Sequence, residues 1–314
     1  MRICSFLPSA TEIVYTLGLG DQLYGVTRSC DYPAEALTKP IVVRSILDEE
    51  GLTSGDIDRI VKEHARNGQS VYHIDMEALR AADPDLILTQ QLCDVCAVGY
   101  DDVLTQVKNL PKKPRVVSLN PTSLEDVLQD MLTVGEATGT ADRAQAAVRA
   151  LRQRIEAVRQ QAGQATTRPR VFCLEWMDPL FVSGHWMPAM VEMAGGTDGI
   201  GNHGTPSTRV TWESVRDYQP EVVILMPCGA DVPKTLSELH YVRALPGWDE
   251  LPAVHNGRIY AVNAGAYFSR SGPRLVDGLE LLAQIIQPEL FPWTVPHDIA
   301  VRVSGPGLAQ QVSA

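Results

Sequence analysis

The stretch from Thr140 to Ala162 is the feature that most constrains how this 314-residue chain can fold. Its apolar side chains recur at three- and four-residue intervals, which places them on one stripe of an α-helix. The stripe consists of Val148, Leu151, Ile155, Val158 and Ala162. Thr140 can cap the helix at its start and Gly163 ends the pattern, so we predict one helix about 30 Å long.

Strand and helix patterns alternate on both sides of this stretch. Short β-branched runs at 41–43, 86–89 and 116–119 are separated by helical patterns, and the alternation resumes at 170–176. Such alternation indicates an α/β fold with largely parallel sheets. We predict an N-terminal α/β lobe over 1–139, a linking helix over 140–162, a C-terminal α/β lobe over 163–290 and an irregular tail over 291–314. Alternatively, the long helix packs as an ordinary helix within one domain.

Two segments of the chain, 77–88 and 213–224, align with each other without a gap. Each begins with a glutamate, contains a proline that ends a helical pattern, and continues into an apolar run, because the residue before a proline disfavours helix. Matching segments of this kind predict that the two lobes share a topology. By themselves, Glu77 and Glu213 are simply favourable residues for the first turn of a helix.

Charge and composition exclude several classes of function. The net charge is -11 and the chain has no long basic run, so we do not expect nucleic acid as a partner. The sequence shows no secretory signal and no apolar stretch long enough to cross a bilayer, so we predict a cytoplasmic location without membrane insertion. The six cysteines are then expected to be mostly reduced.

Polar and aromatic side chains collect where the predicted strands end, which is where α/β sheets hold their ligands. The candidates in the first lobe are Tyr32, Gln90 and Cys93. Those in the second lobe are Trp176, Trp186, His203, Tyr267, Phe268 and Arg270. If the lobes face each other, these residues line one cleft. Aromatic faces with a few hydrogen-bonding groups suit a large, partly apolar ligand better than a compact ion.

Cys93 and Cys96 form a CxxC pair, the sharpest local motif in the sequence. A structural zinc site needs four ligands, and no second CxxC or His-x3-His completes this one. A plain reduced pair, contact with a metal or cofactor, and redox switching all stay open. The sequence has no glycine-rich phosphate loop and no G-x-S-x-G elbow, so we expect a binding protein rather than an enzyme.

Several short motifs, in order along the chain, carry a resemblance to a known family. They are Ser5–Glu12 followed by Leu17-Gly18, Cys30–Pro33, Asp83–Ile87, Phe181–Gly184, Gly195-Gly196, Glu213–Pro220 and Ser269–Arg274. In this order and spacing, the chain resembles the helical-backbone (class III) substrate-binding proteins of ABC importers over about residues 2–287. That class carries cobalamin, haem and iron siderophores, and the first two motifs look most like its cobalamin-binding branch.

The resemblance implies two Rossmann-like lobes joined by one backbone helix, with the ligand in a cleft between them. It implies cobalamin or a related corrinoid as the ligand, no required cofactor and no metal site of the protein's own. It also implies an ABC permease as partner, onto which Glu77 and Glu213 dock, one from each lobe.

Two departures from the cobalamin branch leave alternatives open. Ile46 and the Gln90 region stand where cobalamin relatives have tryptophans, and the sequence lacks a leader, which suggests a cytoplasmic carrier or sensor. One alternative is a protein that binds haem or an iron chelate through His185, His203 or the cysteines. Another is an enzyme that modifies or reduces a corrinoid with Cys93 and Cys96.

Overall fold

The structure, a computed structural model, describes residues 1–47, 51–91, 100–108 and 110–303, without the side chains of residues 100–102. The chain divides into two compact units. The first comprises Met1–Leu151 and Ser271–Pro273, and the second comprises Arg152–Arg270 and the residues from Arg274 onward. We predicted that the lobes would meet the long helix at its two ends, whereas this division falls inside the helix.

The first unit contains a mostly parallel sheet. Its strands are β1 (Ile3–Ser5), β2 (Leu23–Thr27), β3 (Ile41–Ser45), β4 (Tyr72–Ile74), β5 (Leu86–Thr89) and β6 (Arg115–Ser118). Their spatial order is β4-β3-β2-β1-β5-β6, and only the edge pair β3 and β4 is antiparallel within the described residues. The short crossovers between parallel strands place helices against the sheet, as the alternating sequence pattern predicts.

Five helices accompany this sheet. They are α1 (Pro8–Thr16), α2 (Ser54–Arg66), α3 (Met76–Ala82), α4 (Tyr100–Val107) and α5 (Leu124–Thr138). Ser9 and Glu12 have the spacing of a capping box, but α1 begins one residue earlier than such a box predicts, at Pro8, without a side-chain cap. Proline suits a first helical turn because the backbone N–H that it lacks would have no partner there. Capping boxes form instead at the starts of α2 and α5.

The long helix α6 (Ala141–Ala162) is confirmed to within one residue of its predicted start. Its apolar stripe is buried as predicted, apart from Ile155, which is half-buried. Its first half belongs to the first unit, where Arg143 Nη1 donates to Leu17 O at 3.1 Å. Its second half belongs to the second unit, where Arg154 pairs with Asp277 and Glu280. Because each half packs in a different unit, the division falls inside the helix.

The second unit contains a second sheet of β7 (Val171–Met177), β8 (Leu180–Val182), β9 (Val222–Leu225), β10 (Ile259–Val262) and β11 (Ala300–Arg302). The order is β11-β10-β9-β7-β8, with β7, β9 and β10 parallel and both edge strands antiparallel. The tail that we predicted to be irregular therefore contributes an edge strand. β11 has only three residues, too few for an alternating pattern to reveal it.

Apart from α13, the helices of the second unit have at most seven residues. They are α7 (Met187–Met193), α8 (Trp212–Tyr218), α9 (Val232–Ser237), α10 (Leu239–Arg243), α11 (Pro252–His255), α12 (Ala264–Tyr267) and α13 (Leu275–Ile286). The helical sequence pattern near 236–245 covers parts of two helices, α9 and α10, rather than one. Apolar side chains of β7, β9 and β10 pack against α8, α10 and the turn at Trp248–Glu250 to form the core on one face of this sheet.

The internal repeat is a repeated structural module. Helices α3 and α8 both have seven residues, both end in a left-handed residue, Asp83 (φ 42°) or Gln219 (φ 52°), and both lead into a four-residue strand. The prediction that the two segments form matching helix-turn-strand units is confirmed.

Equivalent hydrogen bonds join each module to the residue just before the neighbouring strand of its sheet, β1 or β7. The backbone N–H of Arg2 donates to the Asp85 carboxylate at 2.7 Å, and that of Arg170 donates to the Glu221 carboxylate at 3.0 Å. Each arginine Nε also donates to a backbone carbonyl at the end of the helix. These bonds lie at the ends of β5 and β9 opposite to the ligand residues predicted above.

Candidate functional site

In the first unit, the parallel strands all end at one edge of the sheet, and several predicted ligand residues follow them. Gln90 comes directly after β5 and Ile46 directly after β3, while Tyr32 lies in the loop after β2. Tyr32 is 47% exposed and Ile46 is 40% exposed, both high for large apolar side chains. Arg28, at the end of β2, has an exposed side chain and donates its backbone N–H to Val43 O. This edge offers apolar, aromatic and cationic groups to a ligand.

The amide side chains after β5 and β6 are more constrained. Gln90 is buried, and Gln91 donates its backbone N–H to the Asn120 side chain at 2.6 Å. Thus the chain segments leaving these two strands are tied together. Cys93 and Cys96 lie outside the described residues, so their predicted part in ligand contact stays a prediction.

In the second unit, β7 brings Glu175 and Trp176 to the corresponding edge. Trp176 is half-buried and its indole Nε1 donates to Asp178 O at 3.1 Å. The Glu175 carboxyl accepts hydrogen bonds from Gly184 N, at 3.1 Å, and from the Ser207 hydroxyl. Burial raises the pKa of this carboxyl to about 7, although the two hydrogen bonds favour the charged form.

The segment around Gly184 packs tightly against the loop that contains Thr205 and Ser207. A Cβ atom on Gly184 would lie 2.3 Å from Ser207 N, so only glycine allows this approach. Asn202 N donates to Ser183 O at 2.9 Å, and His185 N donates to Thr205 O at 2.7 Å. Glu175 and these backbone bonds fix the start of α7 to the loop.

His185 and Trp186 come directly after Gly184 in the chain. The rings stack with their centroids 5.5 Å apart, and Trp186 Nε1 donates to Phe268 O at 2.9 Å. Because Phe268 follows α12, which itself begins two residues after β10, the pair lies at the carboxyl edge of the sheet. His185 has a left-handed backbone (φ 52°), and its Nδ1 is buried without a hydrogen-bond partner within the described residues. Burial lowers the pKa of its imidazole.

The segment after β10 brings the remaining aromatic candidates to the same edge. Gly229 N, after β9, donates to Ser269 Oγ at 3.0 Å, which joins the segments that follow β9 and β10. Tyr267 is half-buried, with the Arg274 guanidinium 5.6 Å from its ring centre. Arg270 is also half-buried.

Two predicted ligand residues are core residues in the structure. Phe268 is 1% exposed and packs against Gly278 of α13, and Trp186 is 7% exposed. Their side chains support the edge rather than form its surface, so they are left out of the ligand set proposed below. Local sequence marked their position correctly but could not show which way each ring points.

His203, the predicted histidine in the loop, lies on the surface. Its Nε2 is 3.7 Å from the Glu192 carboxylate of α7, and both side chains are about half exposed. No group of three or more histidine, cysteine, aspartate or glutamate side chains within the described residues is arranged to hold a metal ion.

Sequence reasoning left Glu175 out of the candidate set. The Glu175 carboxyl accepts its two hydrogen bonds only because the folded chain brings Gly184 and Ser207 to it. No local pattern marks such a contact.

The two predicted docking residues, Glu77 and Glu213, are exposed at equivalent positions in the first turns of α3 and α8. In the second unit, Glu213 lines a surface groove with Arg216, Asp217, Gly247 and Glu250. Arg216 lies 3.7 Å from the Glu250 carboxylate. Their positions alone do not test the prediction that these glutamates dock onto a permease.

Relatives of the chain are known by sequence. It is 25% identical to an uncharacterized ABC transporter substrate-binding lipoprotein, YvrC, of Bacillus subtilis, over 92% of this chain and 81% of the relative. It is 24% identical to the vitamin B12-binding protein of Vibrio cholerae, over 89% of this chain and 86% of that protein.

Similar structures have been solved. The fold matches a periplasmic heme binding protein from Pseudomonas aeruginosa with a TM-score of 0.74 and 20% identity, over 98% of this chain and 99% of that one. This likeness supports the two-lobed α/β fold of class III binding proteins, whereas the predicted cleft between lobes stays a prediction.

No helix in the described part of the chain is both long enough and apolar enough to span a membrane. The Bacillus subtilis relative is described as a lipoprotein and the Pseudomonas aeruginosa protein as periplasmic, and the cytoplasmic location of this chain stays a prediction. Residues 3–265 match the family described as "Periplasmic binding protein". The chain belongs to that family, as a substrate-binding protein of the kind that serves ABC importers.

Proposed function

We propose that this protein binds cobalamin or a related corrinoid, without catalysing a reaction, as the substrate-binding component of an ABC importer. The observation that carries the proposal is its similarity, over most of both chains, to a vitamin B12-binding protein. The motif order that resembles the cobalamin branch supports the same ligand.

The side chains at the carboxyl edges of the two sheets suit this ligand. A corrinoid is a large, partly apolar ring with amide side chains, so it needs flat apolar contacts and a few hydrogen-bonding groups. In the first unit we assign Tyr32 and Ile46 to ligand contact, whereas Gln90 is buried and is left out, as Phe268 and Trp186 are. In the second unit we assign Trp176, Tyr267 and Arg270, with His203 at the margin.

Titration with cyanocobalamin tests the proposal. We expect saturable quenching of tryptophan fluorescence at one ligand per chain, because Trp176 lies at the proposed contact surface. Tyr32→Ala should weaken binding by about tenfold, since removing a contacting aromatic ring costs on the order of 1–2 kcal/mol. Tyr24→Ala is the matched control, because Tyr24 is similarly exposed but its ring lies over Arg2. Failure of every corrinoid to bind at micromolar concentration would refute the proposal.

A second candidate is haem or an iron chelate. The similarity to a heme binding protein of Pseudomonas aeruginosa favours it, and the absence of first-unit tryptophans at the predicted contact surface weakens the case for cobalamin. Competition between haemin and cyanocobalamin for the same protein would decide between them. Displacement of cyanocobalamin by substoichiometric haemin would make haem the ligand.

A further inference from the structure

We propose that His185 supplies an axial nitrogen ligand to the metal ion of a bound tetrapyrrole. This inference rests on the proposed function, since cobalamin and haem share one chemistry: a planar macrocycle around a metal ion with an exchangeable axial position. Imidazole nitrogen is a common protein ligand for such metals.

The location of His185 is the first argument. Gly184, just before it, donates its N–H to the Glu175 carboxyl near the end of β7, and Trp186, just after it, donates to Phe268 O beyond the end of β10. His185 is therefore held between the ends of two strands. That is the edge at which an α/β sheet presents its ligand site.

The backbone of His185 is fixed in a costly conformation. Its φ of 52° is left-handed, a conformation that is unfavourable for a residue with a Cβ atom. Both backbone groups are engaged, because the N–H donates to Thr205 O at 2.7 Å and the carbonyl accepts from Gly204 N at 2.9 Å. Backbone strain of this kind concentrates at functional sites, where the surrounding structure maintains it.

The ring itself rests on a rigid support. It stacks on the indole of Trp186, which is buried and anchored through its own hydrogen bond. A histidine side chain that coordinates a metal ion benefits from such restraint, because a loosely held side chain loses conformational entropy on binding. Packing thus pre-organises the imidazole.

Neither ring nitrogen of His185 is used by the protein. Nδ1 is buried without a partner, and no hydrogen bond to Nε2 occurs within the described residues. Two other histidines differ in this respect, because His64 Nδ1 lies 3.0 Å from Ile60 O and His240 Nδ1 lies 3.1 Å from Ser237 O. Since Nδ1 is enclosed, Nε2 is the nitrogen available to a ligand.

The unpartnered Nδ1 has a consequence for the strength of coordination. Histidines that bind metals tightly usually donate the other ring N–H to a carbonyl or carboxylate, which makes the ring a better electron donor. His185 lacks that acceptor. Its bond to the metal should therefore be weak, which suits a protein that must release its cargo.

Aquacobalamin is the direct probe. Coordination transfers the Nε2 electron pair to cobalt, and the water bound there leaves. We expect wild-type protein to shift the visible spectrum of aquacobalamin to that of the same corrinoid with free imidazole. Cyanocobalamin should bind without a shift, because cyanide occupies the axial position. Haemin provides the second arm: a histidine-ligated spectrum with haemin alone would identify an iron tetrapyrrole.

Substitutions test whether His185, rather than another residue, is the axial ligand. His185→Asn, which tolerates the left-handed backbone, should abolish the shift while the protein still binds cyanocobalamin by fluorescence quenching. His255→Asn removes an exposed histidine of the same unit that lies outside the proposed ligand contacts, and it should keep the full shift.

Two results would overturn the inference alone. One is saturation of the wild type with aquacobalamin or haemin while the spectrum stays water-ligated, and the other is an undiminished shift in His185→Asn. If no tetrapyrrole quenches the tryptophan fluorescence of the wild type, the proposed function fails and this inference fails with it.

Discussion

Glu175 shows how much one side chain can organise at the edge of the second unit. Its carboxyl joins β7 to the start of α7 through Gly184, and to the following loop through Ser207. Burial of the carboxyl opposes its ionisation and raises its pKa from an ordinary 4.5 to about 7. The folded protein therefore binds a proton here more tightly than the unfolded chain does.

This raised pKa predicts a pH-dependent stability. Glu175 contributes stability that is fully present below pH 4.5 and is lost as the pH rises through about 7, by roughly 3 kcal/mol at most. The Glu175→Gln variant lacks this titration. Urea denaturation at pH 5 and pH 8 should therefore show the wild type losing free energy of unfolding relative to Glu175→Gln at the higher pH. An equal difference at both pH values would contradict the assignment.

At the scale of elements, α6 is held in each unit by different bonds. In the second unit, Arg154 of α6 donates to Asp277 at 2.5 Å and to Glu280 at 2.7 and 2.8 Å, so one guanidinium binds two carboxylates of α13. Paired hydrogen bonds of this geometry are stronger than isolated surface ion pairs. They tie the second half of α6 to α13.

Arg154→Ala should lower the free energy of unfolding by about 1 kcal/mol, because these groups are partly exposed and water screens them. The loss should shrink between about 0.05 M and about 1 M salt. Arg149→Ala on the same helix is the control, since Arg149 is exposed and has no ion pair within the described residues. Equal losses for both variants, measured by urea denaturation, would show that the ion pairs add nothing.

Elements with a long, regular pattern could be predicted, and short ones could not. Periodicity predicted α6 to within a residue because its apolar stripe repeats over about four turns, and the prolines after α3 and α8 predicted where those helices end. Tertiary packing determines where the shorter elements begin and end, such as the division between α9 and α10 at Glu238 and the strand β11. Pro8 and Ser9 are both favourable residues at the start of a helix, so local sequence does not decide between them. The structure shows that α1 begins at Pro8.

At the scale of the whole molecule, the chain is a two-unit binding protein with one repeated surface feature. Glu77 and Glu213 are exposed at the same position of the same module in each unit. A chain with a net charge of -11 is attracted to any basic surface, so specific docking must be separated from general charge.

The double variant Glu77→Ala with Glu213→Ala should weaken association with an ABC permease while ligand affinity stays unchanged. Losing each contact with a basic residue should cost about 1–3 kcal/mol. Glu136→Ala with Glu156→Ala removes the same charge from other exposed positions and is the control. Binding of each variant to permease in lipid nanodiscs measures the effect, and equal weakening in both would mean that net charge alone is responsible.

The fold class and the sheet edges that carry the candidate residues followed from sequence, whereas the surroundings of the individual candidate residues did not. Strand ends located the edge that carries Tyr32, Gln90 and Trp176, because parallel strands share one carboxyl edge. Phe268 is buried because it packs against α13. Trp186 is held by its hydrogen bond to Phe268 O, which is distant from it in the sequence. The conformation of His185 depends on backbone bonds to Gly204 and Thr205, which no local pattern encodes.

The repeated helix-turn-strand module also bears on the composition of a partner. Two copies of one surface, built from the same bonds around Asp85 and Glu221, are best recognised by two copies of one complementary surface. A partner made of two identical subunits, or of one subunit with an internal duplication, provides them. The docking prediction for Glu77 and Glu213 therefore carries an expected stoichiometry of one molecule of this protein for each pair of equivalent partner surfaces.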